Sequence, residues 1–431
     1  MSTYLQVPAS RPLVGTVEVP PDKSISHRAL IFNGFASGNA TINNLLVSAD
    51  LASTAECLKR IGVSIEEGKV YGRAGTFQAP TQPLDCGNSG TTLRLLIGLL
   101  AGQPFLSELQ GDESLQGRPM GRVTDHLRRF GARFEGPTNG RTAPLHIIGG
   151  PLINQGVDSP IASAQVKTAM MLAGIQGEGT LRFSEPTVSR DHTERMFRAM
   201  GIEFNDWVDE DGTHFIELNG PQQLKCIDVD VPGDISSAAF FIVAASIIPD
   251  SNLYIPHVGI NPTRSGIIDA LLNMGGSIEI TNTRTVSGEP VGDIRVRHAP
   301  LHGTTIDETL FTRMIDEVPV FAIAAAMAAG TTTVHGTSEL RVKESNRLEG
   351  CLSLARGAGG LARTEEDALT IQGRNSTPKA QLVIDARNDH RIAMSAAIAG
   401  LVNEGGAAIS GIESIQTSFP AFLDTLGSLC E

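Results

Sequence analysis

The sequence predicts an α/β protein made of six copies of one unit, grouped three and three into two similar halves. Three observations carry this. First, six segments share one grammar of polar cluster, apolar helix-like run, short break and β-branched strand: "SHRALIFNGFASGNATINN", "TTLRLLIGLLAGQPFLSEL", "VKTAMMLAGIQGEGTLRF", "SSAAFFIVAASIIPDSNLYI", "VPVFAIAAAMAAGTTTVHG" and "HRIAMSAAIAGLVNEGGAAISG". Second, an amphipathic helix closed by glycine and then a strand follows in five of the six: "ECLKRIGVSIEE", "HLRRFGARFEG", "MFRAMGIEFND", "ALLNMGGSIEI" and, less cleanly, "CLSLARGAGGLARTEE". Third, the closing glycines Gly62, Gly131, Gly201 and Gly275 recur about every 70 residues, where helix C-caps belong.

The first helix of each copy has a wide apolar face rich in small residues, which suits burial on most sides. The sixth copy breaks off at "FPAFLDTLGSLCE". A generic α/β enzyme with evenly spaced helices is the plainer alternative, but it does not account for the recurring grammar. Units of this size assemble into larger domains, and two similar halves place an active site most naturally between them.

Composition bounds the function. The 431 residues suffice for two or three domains with real cores, and at 41% apolar and 19% charged the chain reads as globular. With 34 Lys and Arg against 47 Asp and Glu the net charge is −13, which argues against a general nucleic-acid or membrane binder. A small anionic substrate needs only a local group of cations. The five cysteines (Cys57, Cys86, Cys226, Cys351, Cys430) are odd in number and form no CxxC pair, so a reducing compartment fits better than a disulfide or zinc framework. The opening "MSTYLQVPASRPLVG" lacks the apolar centre of a signal peptide, and "AAFFIVAASII" is too short to span a bilayer.

Chemistry-bearing residues gather just before the apolar helices, where free N–H groups and a partial positive charge favour anions. In "PDKSISHRAL", Ser24 and Arg28 lie four apart, as do Lys23 and His27, so a helix starting near Ser24 would let hydroxyl and guanidinium grip one phosphate or carboxylate. The plain alternative is an N-cap with solvated charges. "CGNSGTTLRLL" sets Gly87, Asn88, Gly90 and Thr91 ahead of a helix with Arg94 in its first turns, a backbone a ligand could approach closely, though a tight turn would read the same. It is no P-loop, since the GK[ST] lysine is missing. Arg118 precedes Pro119 at a loop–helix junction, and "IASAQVKTAM" offers Ser163 and Gln165 at another helix start.

"MIDEVPVFA" places Asp316 and Glu317 before Pro319 and an apolar helix, as caps or as a proton acceptor in a dry site. In "LRVKESNRLEG", Lys343 and Arg347 lie four apart, two cations on one helical face, with Glu344 beside them to move protons. "ARNDHRIAMS" adds Asp389, His390 and Arg391. No G-x-S-x-G elbow supports a serine hydrolase.

Taken in order, "DKSISHRAL", "GNSGTTLRLL", "RPMGR", "SAQVK", "RDHTERM", "GDISSAAFF", "NPTRSG", "MIDEVP", "RVKESNRL" and "NDHRIAMS" span nearly the whole chain. Together they resemble the 5-enolpyruvylshikimate-3-phosphate synthase family. The resemblance implies two similar domains, each of three βαβαββ units (the enolpyruvyl transferase fold, an inside-out α/β barrel), with 1–20 plus 233–431 as domain I and 21–232 as domain II. Helix N-termini would converge on the interdomain cleft.

The implied reaction moves the enolpyruvyl group of phosphoenolpyruvate to the 5-hydroxyl of shikimate 3-phosphate, on the way to chorismate. The resemblance further implies no metal or organic cofactor, small-molecule substrates only, no nucleic acid or membrane partner, a monomer, and a cytoplasmic location. By motif, Lys23, Ser24, Arg28, Ser163, Gln165 and Arg190 look like ligands of shikimate 3-phosphate. Lys23, Asn88, Gly90, Arg118, Gln165, Arg347 and Arg391 look like the phosphoenolpyruvate side. Asp316 resembles the base near the 5-hydroxyl with Lys343 beside it, and Glu344 the acid that protonates the enol methylene and later takes a methyl proton back. Lys23 joins Asp316 and Glu344 in the catalytic set.

Two departures stand out. "TSFP", Thr417 to Pro420, replaces a Lys-Thr-Phe-Pro of the better-known branch, removing one cation expected near phosphoenolpyruvate or an analogue such as glyphosate; a more divergent branch shares "TSFP". Ala164 stands where the first branch has a second serine. The nearest rival, the sister transferase acting on UDP-N-acetylglucosamine, carries Lys-Asn at the first site and a cysteine in the loop that here reads "GDESLQGRP". RNA 3′-phosphate cyclase would want a histidine nucleophile, and a non-catalytic anion-binding protein would have no need of Asp316, Lys343 and Glu344.

Overall fold

The protein is described by a computed structural model at residues 5–7, 12–374 and 378–430. The stretch read for a leader falls partly outside these residues, as does the side chain of Cys430. The chain divides into two compact units. Unit 1 comprises Met1–Asp22, Pro232–Thr285 and Pro290–Glu431, and unit 2 comprises Lys23–Val231 and Val286–Glu289. The chain passes from unit 1 to unit 2 between Asp22 and Lys23 and back between Val231 and Pro232. These crossings have a local cause: Pro21 bridges to Gly233, and the Asp22 amide donates to the Pro232 carbonyl at 2.8 Å, which keeps both residues in unit 1. The turn Val286–Glu289, grouped with unit 2, was not expected.

Six helices occupy the middle of the units. In unit 2 they are α1 (Lys23–Phe35), α2 (Gly90–Leu100) and α3 (Ala164–Gly174), and in unit 1 α4 (Ile235–Ile247), α5 (Val318–Met327) and α6 (His390–Leu401). Small residues let neighbours approach, and helix caps close the starts. Ser89, Ser163, Asp234 and Asp389 each accept a backbone N–H of the first turn. Every residue of α4 and α6 is buried, as the absence of a polar stripe requires. Where α2 meets α3, a Cβ on Gly98 would lie 2.6 Å from the Ala169 Cα and 2.3 Å from its carbonyl oxygen, so only glycine permits that crossing.

Sheets flank these helices. Among the described residues there are six, five of four strands and one of three. The copy around α2 shows the pattern. Leu84–Asp85 runs parallel to Leu106–Gln110, which pairs antiparallel with Leu145–Ile148, which in turn holds Arg133–Glu135 at the edge. In chain order this is βαβαββ. Strands such as Leu106–Gln110 and Thr331–His335 alternate buried and more exposed residues, so one face packs on the helices and the other meets solvent. Helices inside and sheets outside make each unit an inside-out α/β arrangement.

Two copies borrow their first strand from far away. Val14–Thr16 lies parallel to Asn252–Gly259 in unit 1, and Val229–Asp230 lies parallel to Asn39–Asn43 in unit 2. The sixth copy is short, as expected: Leu382–Asp385 and Ala407–Ser410 are completed by Leu5–Val7, and the helix Phe422–Cys430 ends the described chain. Phe419 and Phe422 pack on Phe240 and Phe241 of α4 with ring centroids 5.5 to 6.0 Å apart. Each such buried ring contributes roughly 2–3 kcal/mol. The closing glycines all adopt left-handed backbone, with φ of 92°, 112°, 87° and 88° at Gly62, Gly131, Gly201 and Gly275. Gly359 does the same at 95° after the fifth copy's helix, Arg347–Gly357.

Candidate active site

The expected site residues lie at or near helix starts, one group in each unit. In unit 2, Lys23 opens α1 and its ammonium pairs with Asp50 at 3.1 Å. His27, one turn on, is buried, and its Nδ1 meets Thr54 Oγ1 at 2.8 Å. Thr54 continues to Thr92 at 2.6 Å, and Thr92 to the cap Ser89 at 2.7 Å, so a polar chain couples the starts of α1 and α2. Ser24 and Arg28 lie one turn apart on α1, which begins at Lys23. Arg28 donates to the Ser24 carbonyl (3.1 Å), Thr193 (2.8 Å) and Thr168 (2.9 Å).

A second cluster surrounds the start of α2. Arg118, in the loop before Pro119, donates to Asn88 Oδ1 at 2.7 Å, and Asn88 donates to Asp112 at 2.8 Å. Arg94 donates to Gln165 at 2.5 Å, and Gln165 to Thr91 at 3.0 Å. A Cβ on Gly90 would stand 3.0 Å from Arg94 Nη1 and 3.2 Å from Arg118 Nη1, so two guanidinium groups flank this glycine. Ser163 is the N-cap of α3, its hydroxyl accepting from the Val166 N–H and its own N–H donating to Glu185 at 3.2 Å. Arg190 follows Ser189 in the turn before the helix His192–Ala199.

In unit 1 the centre is Arg347. It is 1% exposed and reaches three carboxylates: Asp389 at 2.8 Å, Asp316 at 2.9 Å and Glu344 at 2.5 Å. Burial opposes its charge, but Asp389, Glu344 and Asp316 together hold the guanidinium protonated above the ordinary arginine range. Arg391 adds a second cation, 3.4 Å from Asp316 Oδ2 and donating to the Asp316 carbonyl at 3.2 Å. Asp389 serves twice, capping α6 through the Arg391 N–H and binding Arg347. The turn into it holds Arg387 and Asn388 at φ of 49° and 58°, a strained entry that fixes the cap.

Lys343 and Arg347 do not share a helical face, because the helix begins at Arg347 and Lys343 is extended, with ψ of −155°. Half-buried, Lys343 is pushed below the ordinary lysine value by desolvation; Asp316 opposes that shift and the Arg347 charge adds to it. Glu317 is the N-cap of α5 without a capping bond; it takes the Ser236 hydroxyl instead. Behind it, Arg264 donates to Asp234 at 3.0 Å and Ser236 at 2.9 Å, and desolvation with the Asp22 charge raises Asp234 to about 6.

Sequence reasoning assigned no role to Asp50, Arg94, Asp389 and Arg264. Asp389 had a signal, an Asp at the start of an apolar helix; Asp50 had none, since only folding brings it to Lys23. Thr417 lies in a 3₁₀ turn and donates to the Ser414 carbonyl at 2.7 Å, and Ala164 is the first residue of α3. Among the described residues no three His, Cys, Asp or Glu side chains gather as a metal cluster, and no helix is long and apolar enough to cross a membrane.

Each unit offers cations suited to phosphates and carboxylates, and unit 1 adds two carboxylates on neighbouring nitrogens of one guanidinium. The chain matches a family model described as EPSP synthase (3-phosphoshikimate 1-carboxyvinyltransferase) over residues 7–426. A Brevibacillus brevis protein named 3-phosphoshikimate 1-carboxyvinyltransferase is 46% identical over 98% of this chain and 99% of its own. One of the same name from Geobacillus kaustophilus is 45% identical over 97% and 98%. The solved structure of EPSP synthase from Acinetobacter baumannii superposes with a TM-score of 0.85 at 38% identity, covering 100% of this chain and 98% of that one. The enolpyruvyl transferase NikO from Streptomyces tendae, 17% identical with a TM-score of 0.78 over 99% and 97%, shares the fold.

Proposed function

The chain belongs to the EPSP synthase family, and from that premise we propose that the residue groups of its two units act on one pair of ligands. The reaction transfers the enolpyruvyl group of phosphoenolpyruvate to the 5-hydroxyl of shikimate 3-phosphate, giving 5-enolpyruvylshikimate 3-phosphate and phosphate. The enzyme is a transferase of the shikimate pathway, which leads to chorismate and the aromatic amino acids.

Two ligands with two phosphates and two carboxylates repel each other unless cations compensate. Lys23, Arg28, Ser24, Ser163, Gln165 and Arg190 take shikimate 3-phosphate. Asn88, Gly90, Arg118, Lys23, Gln165, Arg347 and Arg391 take phosphoenolpyruvate, whose flat carboxylate suits an arginine fork. Glu344 gives its proton to the methylene carbon while the 5-hydroxyl oxygen bonds to the adjacent carbon and loses its proton to Asp316, with Lys343 beside that group. In the second half Glu344 takes a proton from the new methyl and phosphate leaves from the ketal carbon, which restores the double bond.

The observation that carries this assignment is Arg347 holding Asp316 and Glu344 on adjacent nitrogens, because one cation keeps acid and base near each other without mutual repulsion. Closure over the ligands would exclude water from the intermediate. We place the protein in the cytoplasm as a monomer.

Phosphate release should require both shikimate 3-phosphate and phosphoenolpyruvate. Release with UDP-N-acetylglucosamine in place of the sugar acid phosphate would reassign the substrate. Glu344→Gln should cut turnover at least about a hundredfold while both ligands still bind, since general acid–base steps contribute that much. An unchanged kcat would remove Glu344 from the proton path.

A further inference from the structure

Unit 2 contains a fully buried ionic network that the mechanism above does not use. Lys167 on α3 is 0% exposed, and its ammonium lies 2.9 Å from Glu185 and 2.7 Å from Glu194, while donating to the Ser189 carbonyl at 3.0 Å. Glu185 Oε1 also accepts the Ser189 N–H at 3.0 Å and its hydroxyl at 2.9 Å, and meets His214 Nδ1 at 3.0 Å. Its other oxygen accepts the Ser163 N–H at 3.2 Å.

A buried ion pair is weak evidence for stability, because apolar side chains of the same volume would often serve the core as well or better. What apolar side chains cannot supply is direction. Two segments end on this network, and a third lies beside it. One is the start of α3 at Ser163. Another is the turn Ser189–Arg190, tied from both sides by Lys167 and Glu185. The third is Arg28, gripped by Thr168 and Thr193, the chain neighbours of Lys167 and Glu194, which meet each other at 2.6 Å.

We infer that Lys167, Glu185 and Glu194 are positioning residues that set the geometry of Ser163 and Arg190, and through the chain neighbours Thr168 and Thr193 that of Arg28, toward the phosphate of shikimate 3-phosphate. This rests on the reading of those three residues as ligands of that substrate. Lys167 and Glu185 bond Ser163, Ser189 and His214, whereas Arg118 donates to Asn88 and Ser114 and Asn88 to Asp112, so phosphoenolpyruvate binding through Asn88 and Arg118 provides the comparison. Glu185→Gln would keep the volume but lose the charge that collects Ser163, Ser189 and Lys167.

The test uses the full chain and steady-state kinetics with each substrate varied. Glu185→Gln should raise KM for shikimate 3-phosphate about tenfold, the size of a lost charge-assisted hydrogen bond, with KM for phosphoenolpyruvate and kcat within roughly threefold of wild type. Ser189→Ala, which removes only a hydroxyl, should raise the same KM roughly threefold and serves if Glu185→Gln does not fold. Arg28→Lys reports on the underlying reading. If it weakens shikimate 3-phosphate while Glu185→Gln and Ser189→Ala leave that KM at the wild-type value, the inference is overturned and the site reading stands. Should Arg28→Lys leave shikimate 3-phosphate binding unchanged, both fall. A lower unfolding temperature with both KM values intact would make the network merely structural and overturns it too.

Discussion

Arg347 is the residue on which unit 1's group of site residues depends. Asp389 is wholly buried beside it, and Asp316 and Glu344 share its other nitrogens. Arg347→Met would leave the buried Asp389 carboxylate without its guanidinium partner, at a cost of about 3–5 kcal/mol. Thermal unfolding should show that loss together with abolished phosphate release. Arg347→Lys should recover part of the stability but not turnover, since one ammonium cannot hold three carboxylates in a planar fork. A Met variant melting at the wild-type temperature would deny Arg347 this role. The sequence made the cations and acids of this cluster visible, yet its spacing rule placed Lys343 and Arg347 on a helix that starts only at Arg347. The convergence of residues 316, 344 and 389 is a property of three separate loops, and no local pattern reports it.

Among the elements, α2 and α3 are joined by the contact at Gly98. Gly98→Ala would push a methyl into the Ala169 backbone, costing on the order of 1–3 kcal/mol and moving the helix that carries Gln165 away from Arg94. A lower melting temperature accompanied by weaker phosphoenolpyruvate binding is expected; normal binding would show that the helix ends move independently of their crossing. The same helix carries Lys167, whose partner Glu185 has a pH signature. Burial alone would raise this carboxyl, but Lys167, His214 and Ser189 hold it at about 2 instead of 4.5. A depressed folded value means stabilisation complete above about pH 4.5 and lost as pH falls toward 2. Glu185→Gln should therefore be less stable than wild type by on the order of 3 kcal/mol at neutral pH, with the gap closing between about pH 4.5 and 2. A gap constant with pH in melting experiments would contradict the assignment. The buried helices and their closing glycines were legible because apolar runs and left-handed caps leave marks in composition. Strands as short as Val14–Thr16 and Val229–Asp230 leave none, and "SAQVK" gave no hint of the burial of its lysine.

Across the whole molecule, the two units differ in how the chain builds them. The core of unit 2 falls entirely between Ile25 and Val231, so residues 23–231 expressed alone should unfold cooperatively in circular dichroism. The core of unit 1 includes Val7, Leu13 and Val17, so residues 232–431 alone should remain loosely packed until a peptide of residues 1–22 is added. Cooperative melting of 232–431 without that peptide would show the early strands to be dispensable. The sixfold repeat was readable along the chain, whereas this interlacing depends on pairings more than 200 residues apart.

That interlacing also sets a schedule for synthesis. Val14–Thr16 leaves the ribosome long before its neighbour Asn252–Gly259, and Leu5–Val7 precedes Ala407–Ser410 by nearly the whole message. At typical translation rates the first of these strands waits roughly 10 to 50 s with open edges. During that interval unit 2 can close over its own interior, and the nascent amino end must stay unengaged until the carboxyl end arrives to receive it.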